Sequence, residues 1–584
     1  MDDKRNLIIA LALSFVIIIG WNILYDIPRQ QRLLKQQATE EAATPREATP
    51  APTAEPVDVP APSGAPAAVE VERSPEDVLK KTVRVAIESP RLDGSISLRG
   101  GSIDDLKLTG YHETVDPQSP EITLLSPVGT TKAYYARFGW WVAPNADIAV
   151  PDADTEWKAD VDTLTPDQPV TLTWDNGAGL VFTRRIALDE NYMFTVTQRV
   201  TNTGTESVDL NPYGLISRSG TPKTLGYYIL HEGMLGVFNG VLEEIKYKDE
   251  DIIYDSARKK GGKRLNSTGG WLGITDKYWL VALVPDQSAA FDGRFRHLVS
   301  NGVDKYQVDF ARGLQTVPAG GGIEVSNRLF AGAKVVKLVN HYAEDGGIER
   351  FDLAIDWGWY PFLTKPIFFT IDYFNGVLGN FGLAILLLTV IIKGLFFPLA
   401  NKSYKSMSKM KKLQPKMMEL RERYQDDKAR LQKELMALYK AEKANPMSGC
   451  LPIVVQIPVF FSLYKVLFVT IEMRHAPFFG WIRDLSAPDP TSVFNLFGLL
   501  PFDPPGFLAI GIWPLVMGLT MFLQQRLNPQ PPDPTQAKIM MMLPVVFTFL
   551  FARFPAGLVI YWAWNNVLSI TQQWVIMRRM GVHT

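Results

Sequence analysis

A lysine, Lys393, lies inside an apolar stretch of the sequence, FGLAILLLTVIIKGLFFPL, at residues 381–399. An ammonium group at the centre of a membrane helix costs roughly 2.5–3.5 kcal/mol on insertion scales, so a cation in such a position usually has a function. A lysine near the end of a span can also extend its stem to the membrane interface. Lys393 is about two helical turns before Asn401, and this spacing alone leaves both interpretations open.

Further polar side chains recur within the apolar segments of the C-terminal third of the chain. Thr389 is four residues before Lys393, so the two share a helix face. Polar groups that face lipid are costly, and we expect most of these side chains to point into a shared, wet interior, while some only join one helix to another. They cluster towards one end of their helices, which predicts a groove that is open on one side. The predicted groove residues are Lys393, Thr389, Gln456, Asn565, Asn566, Ser569 and Gln572.

We interpret six apolar segments as membrane-spanning helices. The first is expected to be a retained anchor, because it is longer than the apolar core of a signal peptide and lacks a small-residue cleavage pattern. The other five form a helical core. A further apolar run, residues 493–500, is too short to span and is followed by prolines, so we expect it at the membrane interface. The six predicted spans are residues 7–24, 367–399, 450–471, 507–523, 539–551 and 558–577.

A strongly basic segment, residues 401–445, follows the first core span. Its apolar residues recur every three or four positions from Met407 to Leu438, which predicts two short helices joined at Asp426-Asp427 as an antiparallel hairpin. By the positive-inside rule this segment and the basic C-terminus are cytoplasmic. Both termini are then inside, the groove opens to the cytoplasm, and residues 26–365 lie outside. A basic hairpin beside a membrane could contact anionic lipid, a ribosome or an emerging chain.

The predicted linker is rich in proline and alanine and cannot bury enough apolar surface to fold. The sequence pattern changes after it, at residues 80–345. Short runs of alternating apolar and polar residues are separated by turn signals such as Asn176-Gly177 and Asp292-Gly293, which predicts a large antiparallel β-sandwich. Large β-sandwiches often bind sugars, and this analogy of fold alone suggests a vestigial sugar-binding cleft in the domain. The alternating runs include residues 83–87, 170–174, 194–200 and 306–310.

Helical spacing returns after the predicted sandwich. Ile348, Phe351, Ile355, Trp359 and Phe362 fall on one face, which predicts an amphipathic helix in the membrane interface. A helix packed on the β domain is the alternative.

Composition argues against several kinds of site. The single cysteine, Cys450, excludes an internal disulfide, and six scattered histidines lack metal-ligand spacing. The predicted β domain also contains no nucleophile elbow and no phosphate loop. We therefore expect no catalytic residues, no metal, no cofactor and no nucleic-acid readout.

Several stretches resemble the signature of the bacterial YidC/Oxa/Alb family of membrane protein insertases. The likeness rests on NPMSGCLP at residues 445–452 and QIPVFFSLY at residues 456–464, with support from FPAGLVIYWAWNNVLSITQQW at residues 554–574. The resemblance extends along the whole chain. It implies an insertase and foldase for nascent inner-membrane proteins, acting alone or beside the Sec translocon. It also implies a periplasmic sandwich similar to galactose mutarotase.

In this family a hydrophilic groove with one cation receives the polar tail of the substrate, and Lys393 has that position here. Many members carry arginine instead. Lysine loses its proton more readily when desolvated, so the groove must be wet if the charge is needed. Lys465 has no role in this scheme. The apolar part of the substrate would slide into lipid along residues Ile457, Phe460, Phe461, Phe547 and Phe551.

Two other classes of protein can be weighed against an insertase. A secondary transporter usually shows two repeated halves, and the sequence has no such repeat. A membrane-tethered sugar-active protein would leave Lys393 and the hairpin without a purpose. Deleting about residues 80–330 separates these classes, because an insertase should largely survive the loss. The expected organisation is an N-terminal transmembrane anchor (1–25), a linker (26–79), the periplasmic β-sandwich (80–345), an interfacial helix (346–365), the first core helix (366–399), the cytoplasmic hairpin (400–447) and four more core helices (448–584).

Overall fold

The computed structural model describes residues 74–143, 146–226, 230–255, 260–300, 302–425, 427–442, 451–498, 500, 502, 509–528 and 534–580. All of them belong to one compact unit, Asp58–Thr584. The predicted anchor, most of the linker and residues 445–450 of the signature lie outside the described residues.

The first half of the described chain is mostly β structure, preceded by the short helix α1 (Pro75–Leu79). The strands are β1 (Arg84–Glu88), β2 (Leu92–Ser97), β3 (Ser102–His112), β4 (Glu121–Leu125), β5 (Tyr134–Trp141), β6 (Lys158–Ala159), β7 (Thr163–Leu164), β8 (Val170–Asp175), β9 (Leu180–Leu188), β10 (Met193–Asn202), β11 (Val208–Ser219), β12 (Gly233–Phe238), β13 (Val241–Lys246), β14 (Tyr254–Asp255), β15 (Lys260–Gly261), β16 (Lys263–Thr268), β17 (Gly270–Thr275), β18 (Trp279–Val284), β19 (Ala290–Ser300), β20 (Val303–Arg312), β21 (Gln315–Val317) and β22 (Gly322–Ala333).

These strands form two large sheets. One has the order β16-β19-β20-β11-β5-β3-β2-β1-β7, with β4 and β21 at its side, and the other has the order β13-β12-β17-β18-β22-β10-β9-β8-β6. The long ladders are antiparallel, for example β10 with β9 and β22, whereas β1 and β7 pair in parallel over two residues each.

Alternation along the strands directs one face of each sheet into a shared core. On β10, Phe194, Val196 and Val200 are fully buried, while Thr195 and Arg199 on the other face are more exposed. Arg184 of β9 bridges the sheets, because its guanidinium donates to the carbonyl of Gly101 at 2.7 Å, beside β3 of the other sheet. The predicted antiparallel β-sandwich is confirmed.

One of the two predicted turns is wrong. Gly177 turns the chain with a left-handed backbone (φ 70°), as expected, but Asp292-Gly293 lies inside β19. A Cβ at Gly293 would be 2.5 Å from the ring of Phe238. This glycine therefore provides room for an aromatic ring, and the dipeptide signal could not reveal that long-range contact.

The predicted amphipathic helix at residues 348–362 is also wrong. Arg350 has a left-handed backbone (φ 52°), and only a 3-10 turn, Phe351–Ala354, follows it. Phe351 is fully buried and its ring meets the rings of Trp271 and Phe330. The apolar residues in the first part of this segment therefore cover the end of the sandwich.

The second half of the described chain is helical. The helices are α2 (Val336–Glu344), α3 (Pro361–Leu378), α4 (Phe381–Leu395), α5 (Phe397–Arg423), α6 (Lys428–Ala441), α7 (Leu451–Val469), α8 (Ile512–Leu527), α9 (Pro534–Phe551) and α10 (Ala556–Arg579).

The first predicted core span, residues 366–399, is divided among three helices. Gly379 ends α3 with a left-handed backbone (φ 67°), and the Asn380 side chain caps α4 by accepting a hydrogen bond from the amide of Leu383 at 3.0 Å. Glycine after a helix and asparagine before the next are the expected residues at such a break. The prediction of one helix over this range is wrong, because the apolar run conceals these two local signals.

Judged by length and hydropathy, none of the described helices could cross a bilayer alone. The consecutive helices α4 and α5, bent by 68°, could do so as a pair.

Candidate substrate groove

Lys393, near the C-terminal end of α4, reaches across to α10. Its Nζ donates a hydrogen bond to Oγ of Ser569 at 2.8 Å, and that hydroxyl donates in turn to the carbonyl oxygen of Asn565 at 2.8 Å. Lys393 is partly exposed, while Ser569 is buried. The ammonium is therefore held between two helices by a neutral hydroxyl.

One face of α10 carries the polar residues that surround this contact. Asn565, Ser569 and Gln572 are spaced by four and three residues and so lie one above the other. Nε2 of Gln572 and Oδ1 of Asn565 are buried and have no hydrogen-bond partner within the described part of the chain. A buried polar atom left without a partner costs about 1–3 kcal/mol, which water or a polar guest can relieve. These two atoms therefore retain hydrogen-bonding capacity that the described part of the chain does not use.

Gln456 joins the same face from α7. Its Nε2 donates to the hydroxyl of Tyr561, which is one turn before Asn565 on α10. Tyr561 is buried and was absent from the predicted groove. Its position four residues before Asn565, inside a stretch singled out for its family likeness, was the signal that could have found it.

Two of the predicted groove residues serve the helices themselves. The hydroxyl of Thr389 donates to the carbonyl of Ile385 at 2.7 Å within α4, so it is bonded to its own helix. Nδ2 of Asn566 donates to Oγ1 of Thr520 at 3.2 Å, which ties α10 to α8. Both side chains are buried. These contacts do not bring either side chain to the face that carries Ser569, and their place in the groove stays a prediction.

The five predicted slide residues divide into two groups. Ile457 and Phe461 are exposed on α7. Phe460, in contrast, packs edge-on against Trp562 with ring centroids 4.7 Å apart, and Phe547 and Phe551 belong to the same aromatic cluster.

Phe551 is the clearest departure from the predicted slide. Only 4% of this residue is exposed, so it cannot offer a surface along which a substrate moves. Its ring fills the space beside Phe554 and Trp562, and its role in the slide stays a prediction. Trp562 was missed by sequence reasoning, although it lies within the same quoted stretch.

The basic segment forms two helices that pack on each other. Leu413 and Met417 of α5 are buried against apolar residues of α6, and Nζ of Lys416 lies 2.9 Å from Oε1 of Glu442. Asp427 caps α6 by accepting from the amide of Arg430 at 3.0 Å.

The start of α5 also packs on the end of α10. Tyr404 and Met407 are buried against Ile576. Nζ of Lys412 donates to the carbonyl oxygen of Met580 at 2.7 Å. This pair of helices therefore lies beside the end of α10 that follows Ser569 and Gln572.

Lys465 has a partner outside the groove. Its Nζ is 2.6 Å from Oδ2 of Asp356, in the connector between the sandwich and α3. Its stem passes over Gly358, where a Cβ would be 2.8 Å from the lysine Cε. Nearby, the hydroxyl of Tyr278 donates to Oγ of Ser486 at 3.3 Å. Lys465 therefore belongs to the junction between the sandwich and the helices.

No group of three or more metal-ligating side chains occurs in the described ranges of the chain. The sandwich has a cleft of about 340 Å³ on its surface, remote in sequence from the groove residues and lined in part by Asn239, Asn266 and Asp292. Its lining residues include neither a cluster of acids nor an aromatic platform, since Phe291 is the single ring among them.

Two family models match the chain in succession. Residues 84–370 match the model described as the YidC periplasmic domain, and residues 373–582 match the model described as the 60Kd inner membrane protein.

Curated relatives match over nearly the full length. The chain is 52% identical over 593 residues to a protein named membrane protein insertase YidC from Methylorubrum extorquens, covering 100% of this chain and 96% of the relative. It is 53% identical over 599 residues to a protein of the same name from Nitrobacter hamburgensis, with the same coverage. Among solved structures, an active YidC insertase with its first transmembrane domain resolved aligns with a TM-score of 0.36 and 16% identity, covering 84% of this chain and 92% of that one.

Proposed function

The chain belongs to the YidC family of membrane protein insertases, which are inner membrane proteins and not enzymes, and on this premise we propose that it inserts and folds nascent inner-membrane proteins through a hydrophilic groove around Lys393. The observation that carries the proposal is the contact of Lys393 Nζ with Ser569 Oγ at 2.8 Å. It puts a cation beside the polar face of α10, where Asn565 and Gln572 retain hydrogen-bonding capacity.

The groove shortens the distance over which polar groups of a substrate must cross hydrocarbon. A polar or acidic tail enters beside Lys393, and the free polar atoms of Asn565 and Gln572 replace part of its hydration. The charge of Lys393 has a hydroxyl partner, so an incoming carboxylate does not have to displace an existing ion pair. The tail is then held by several groups while the apolar segment leaves.

The apolar segment of the substrate leaves the groove along α7, over the exposed side chains of Ile457 and Phe461. Phe460, Phe547 and Trp562 form a packed wall behind them. Transfer of apolar surface from water to lipid supplies the driving force, roughly 25 cal/mol per Å². The mechanism needs no nucleotide and no cofactor.

The helical pair α5 and α6 is placed on the cytoplasmic side in this proposal. Its positive charge and that of the C-terminus support both termini being inside, and the match of residues 84–370 to a periplasmic domain supports an external sandwich. Because α5 packs on the end of α10, a chain that contacts the hairpin is delivered close to Ser569. The ribosome, anionic lipid and the Sec translocon are the partners proposed for this side.

Reconstitution in liposomes with a single-span substrate that carries an acidic translocated tail tests the proposal. We compare the parent with Lys393→Arg and Lys393→Leu at matched protein levels, and with Lys107→Leu, which removes an exposed lysine of the sandwich. Insertion is expected with Arg and with the control variant, and is expected to fail with Leu. Insertion by Lys393→Leu at the parental rate would show that this lysine only extends to the interface, and the role assigned to it would be lost.

A further inference from the structure

An apolar loop before α8 has no part in the proposed insertion mechanism. Its large side chains are between 41% and 51% exposed, an unusual state for residues of this type. We call this set the apolar tip, and it consists of Phe494, Leu496, Phe497, Leu500 and Phe502.

Two adjacent residues of the apolar tip have a backbone conformation that is costly for bulky side chains. Leu496 and Phe497 have left-handed backbones, with φ of 49° and 60°. Glycine or asparagine adopts this conformation easily, whereas a bulky residue does so at a cost that the surroundings must offset. Bulky apolar residues in a turn that favours small ones indicate that their exposed side chains have a use.

The base of the loop is firmly attached to the start of α8. The amide of Phe497 donates to the carbonyl of Ser492 at 2.8 Å, and the amide of Val493 donates to that of Ile510 at 3.1 Å. Oδ2 of Asp489 accepts from the amide of Trp513 at 2.9 Å, in the first turn of α8. The apolar tip is therefore presented on a fixed platform and does not depend on a free tail.

The residues next to the apolar tip favour membrane lipid as its partner. The exposed apolar face of α8, with Leu515, Leu519 and Leu523, begins directly after the loop. Nε1 of Trp481 donates to Oδ1 of Asp489 at the base of the loop, at 3.1 Å, and tryptophan with a satisfied N–H is typical of the membrane interface. The apolar tip adjoins this tryptophan at its base and the exposed apolar face of α8, a combination typical of a segment that enters lipid.

We propose that the apolar tip inserts into the lipid acyl chains of the leaflet at which α8 begins, and so fixes the depth of that helix in the membrane. A protein partner is the less suitable occupant, because a protein interface surrounds its apolar centre with a polar rim, and the amide of Asn495 is directed to the loop itself, towards the carbonyl of Phe502. The proposal rests on the inner-membrane family of the chain and is independent of the groove.

Depth-resolved fluorescence quenching tests this inference. In a Cys450→Ser background, which removes the single cysteine, Phe494→Cys is labelled with an environment-sensitive fluorophore and the full chain is reconstituted in vesicles. The vesicles carry a nitroxide either on the lipid headgroup or in the acyl chain. Leu519→Cys on α8 and Val115→Cys on the sandwich provide the lipid-facing and water-facing references, since both positions are exposed.

The label at position 494 is expected to show blue-shifted emission and to be quenched by the acyl-chain nitroxide as at Leu519, while the label at Val115 is quenched little. The double substitution Leu496→Asn and Phe497→Asn keeps the left-handed turn and removes the apolar groups, and it should reduce this quenching. Water-like emission would overturn the proposal. Blue-shifted emission that neither nitroxide quenches would overturn it as well, because the tip would then be covered by protein. Unchanged quenching in the asparagine variant would have the same consequence.

Discussion

Two lysines show how a residue's partner determines what it can do. Lys393 donates to the hydroxyl of Ser569, and Lys465 pairs with the carboxylate of Asp356. A neutral partner leaves the positive charge of Lys393 available to an incoming anion, whereas the charge of Lys465 is compensated within the fold. Both residues are cations in apolar helical segments, so residue type alone does not distinguish a binding role from a structural one.

Two polar residues on different faces of α10, Gln572 and Asn566, should respond in opposite ways to substitution by leucine. Gln572→Leu removes a buried amide nitrogen without a partner, so we expect a gain in stability of about 1 kcal/mol together with a loss of insertion. Asn566→Leu removes the bond to Thr520, so we expect a loss of about 0.6 kcal/mol with insertion largely retained. Unfolding in mixed micelles and the liposome assay measure the two quantities. Equal effects of both changes on insertion would contradict the assignment of separate faces.

Glu472 should make the junction between sandwich and helices sensitive to pH. Its Oε1 accepts from the amide of Val336 at 2.8 Å, and burial raises the pKa of its carboxyl from 4.5 to about 7. Because the folded protein holds the proton more tightly, the contribution of Glu472 to stability is fully present below about pH 4.5 and is lost as the pH rises through about 7. The charge of Asp372, which pairs with Lys337, also raises this pKa, and the charge of Lys337 lowers it.

Glu472→Gln should abolish this contribution, since the amide oxygen can still accept from Val336 and does not titrate. Thermal unfolding at about pH 5 and about pH 8 checks it: the difference in Tm between the two pH values should be smaller in the variant than in the parent. The same difference in both proteins would show that another group is responsible.

At the scale of elements, glycines set how closely the helices approach. A Cβ at Gly518 of α8 would be 2.0 Å from Oγ1 of Thr548 on α9, and one at Gly382 of α4 would be 2.1 Å from the ring of Phe478. Close approach of this kind is the usual basis of helix association in membranes, where lipid supplies no hydrophobic drive between helices. The close contact between α8 and α9 therefore depends on Gly518, which has no side chain.

Replacing Gly518 should separate α8 from α9. Gly518→Val forces Thr548 or the α9 backbone to move, and we expect a loss of stability of about 1–3 kcal/mol, as for overpacking elsewhere. Gly376→Ala in α3 is the matched control, because a Cβ there meets nothing within 4 Å. Thermal unfolding in detergent compares the two. A loss in the control as large as that of Gly518→Val would mean that the helix contact is not the cause.

At the scale of the whole molecule, the sandwich and the helices meet through specific polar contacts. Lys465 with Asp356, Tyr278 with Ser486, and the amide of Val336 with Glu472 all join residues that are far apart in the sequence. The described parts of the sandwich and of the helical region belong to one compact unit. The connector that contains Asp356 is thereby held against α7.

Breaking the pair of Lys465 and Asp356 should loosen this junction. Lys465→Met leaves a largely buried carboxylate without its partner, at a cost of about 1–3 kcal/mol, and Asp356→Asn in the same chain should recover part of it. Arg99→Met, which breaks a well-exposed pair with Asp154, is the control and should change stability by less than about 1 kcal/mol. Limited proteolysis of the connector and thermal unfolding measure the effect. Non-additive recovery in the double variant is required, and simple additivity would refute a direct pairing.

Local patterns in the sequence predicted the structure correctly where residues close together in the chain determine it. The alternating run at residues 170–174 became β8, and the Asn176-Gly177 signal became a turn. The apolar residues at 348–362 had helical spacing, yet their actual partners were the rings of Trp271 and Phe330 in the sandwich. A periodic pattern reports which face is apolar and does not report what covers it.

By itself, the sequence determined a β-sandwich followed by apolar helices, a single cysteine, and a cation with polar residues in the helical part. Only the tertiary structure decided which of those polar residues lie together. Adjacent positions on a helix differ by about 100° in direction, so Asn565 and Asn566 face different neighbours once α10 is packed. The rotation of α10 against α4 and α8 is set by contacts with distant residues such as Lys393 and Thr520. These contacts depend on the whole fold, and for that reason no local pattern could assign the groove.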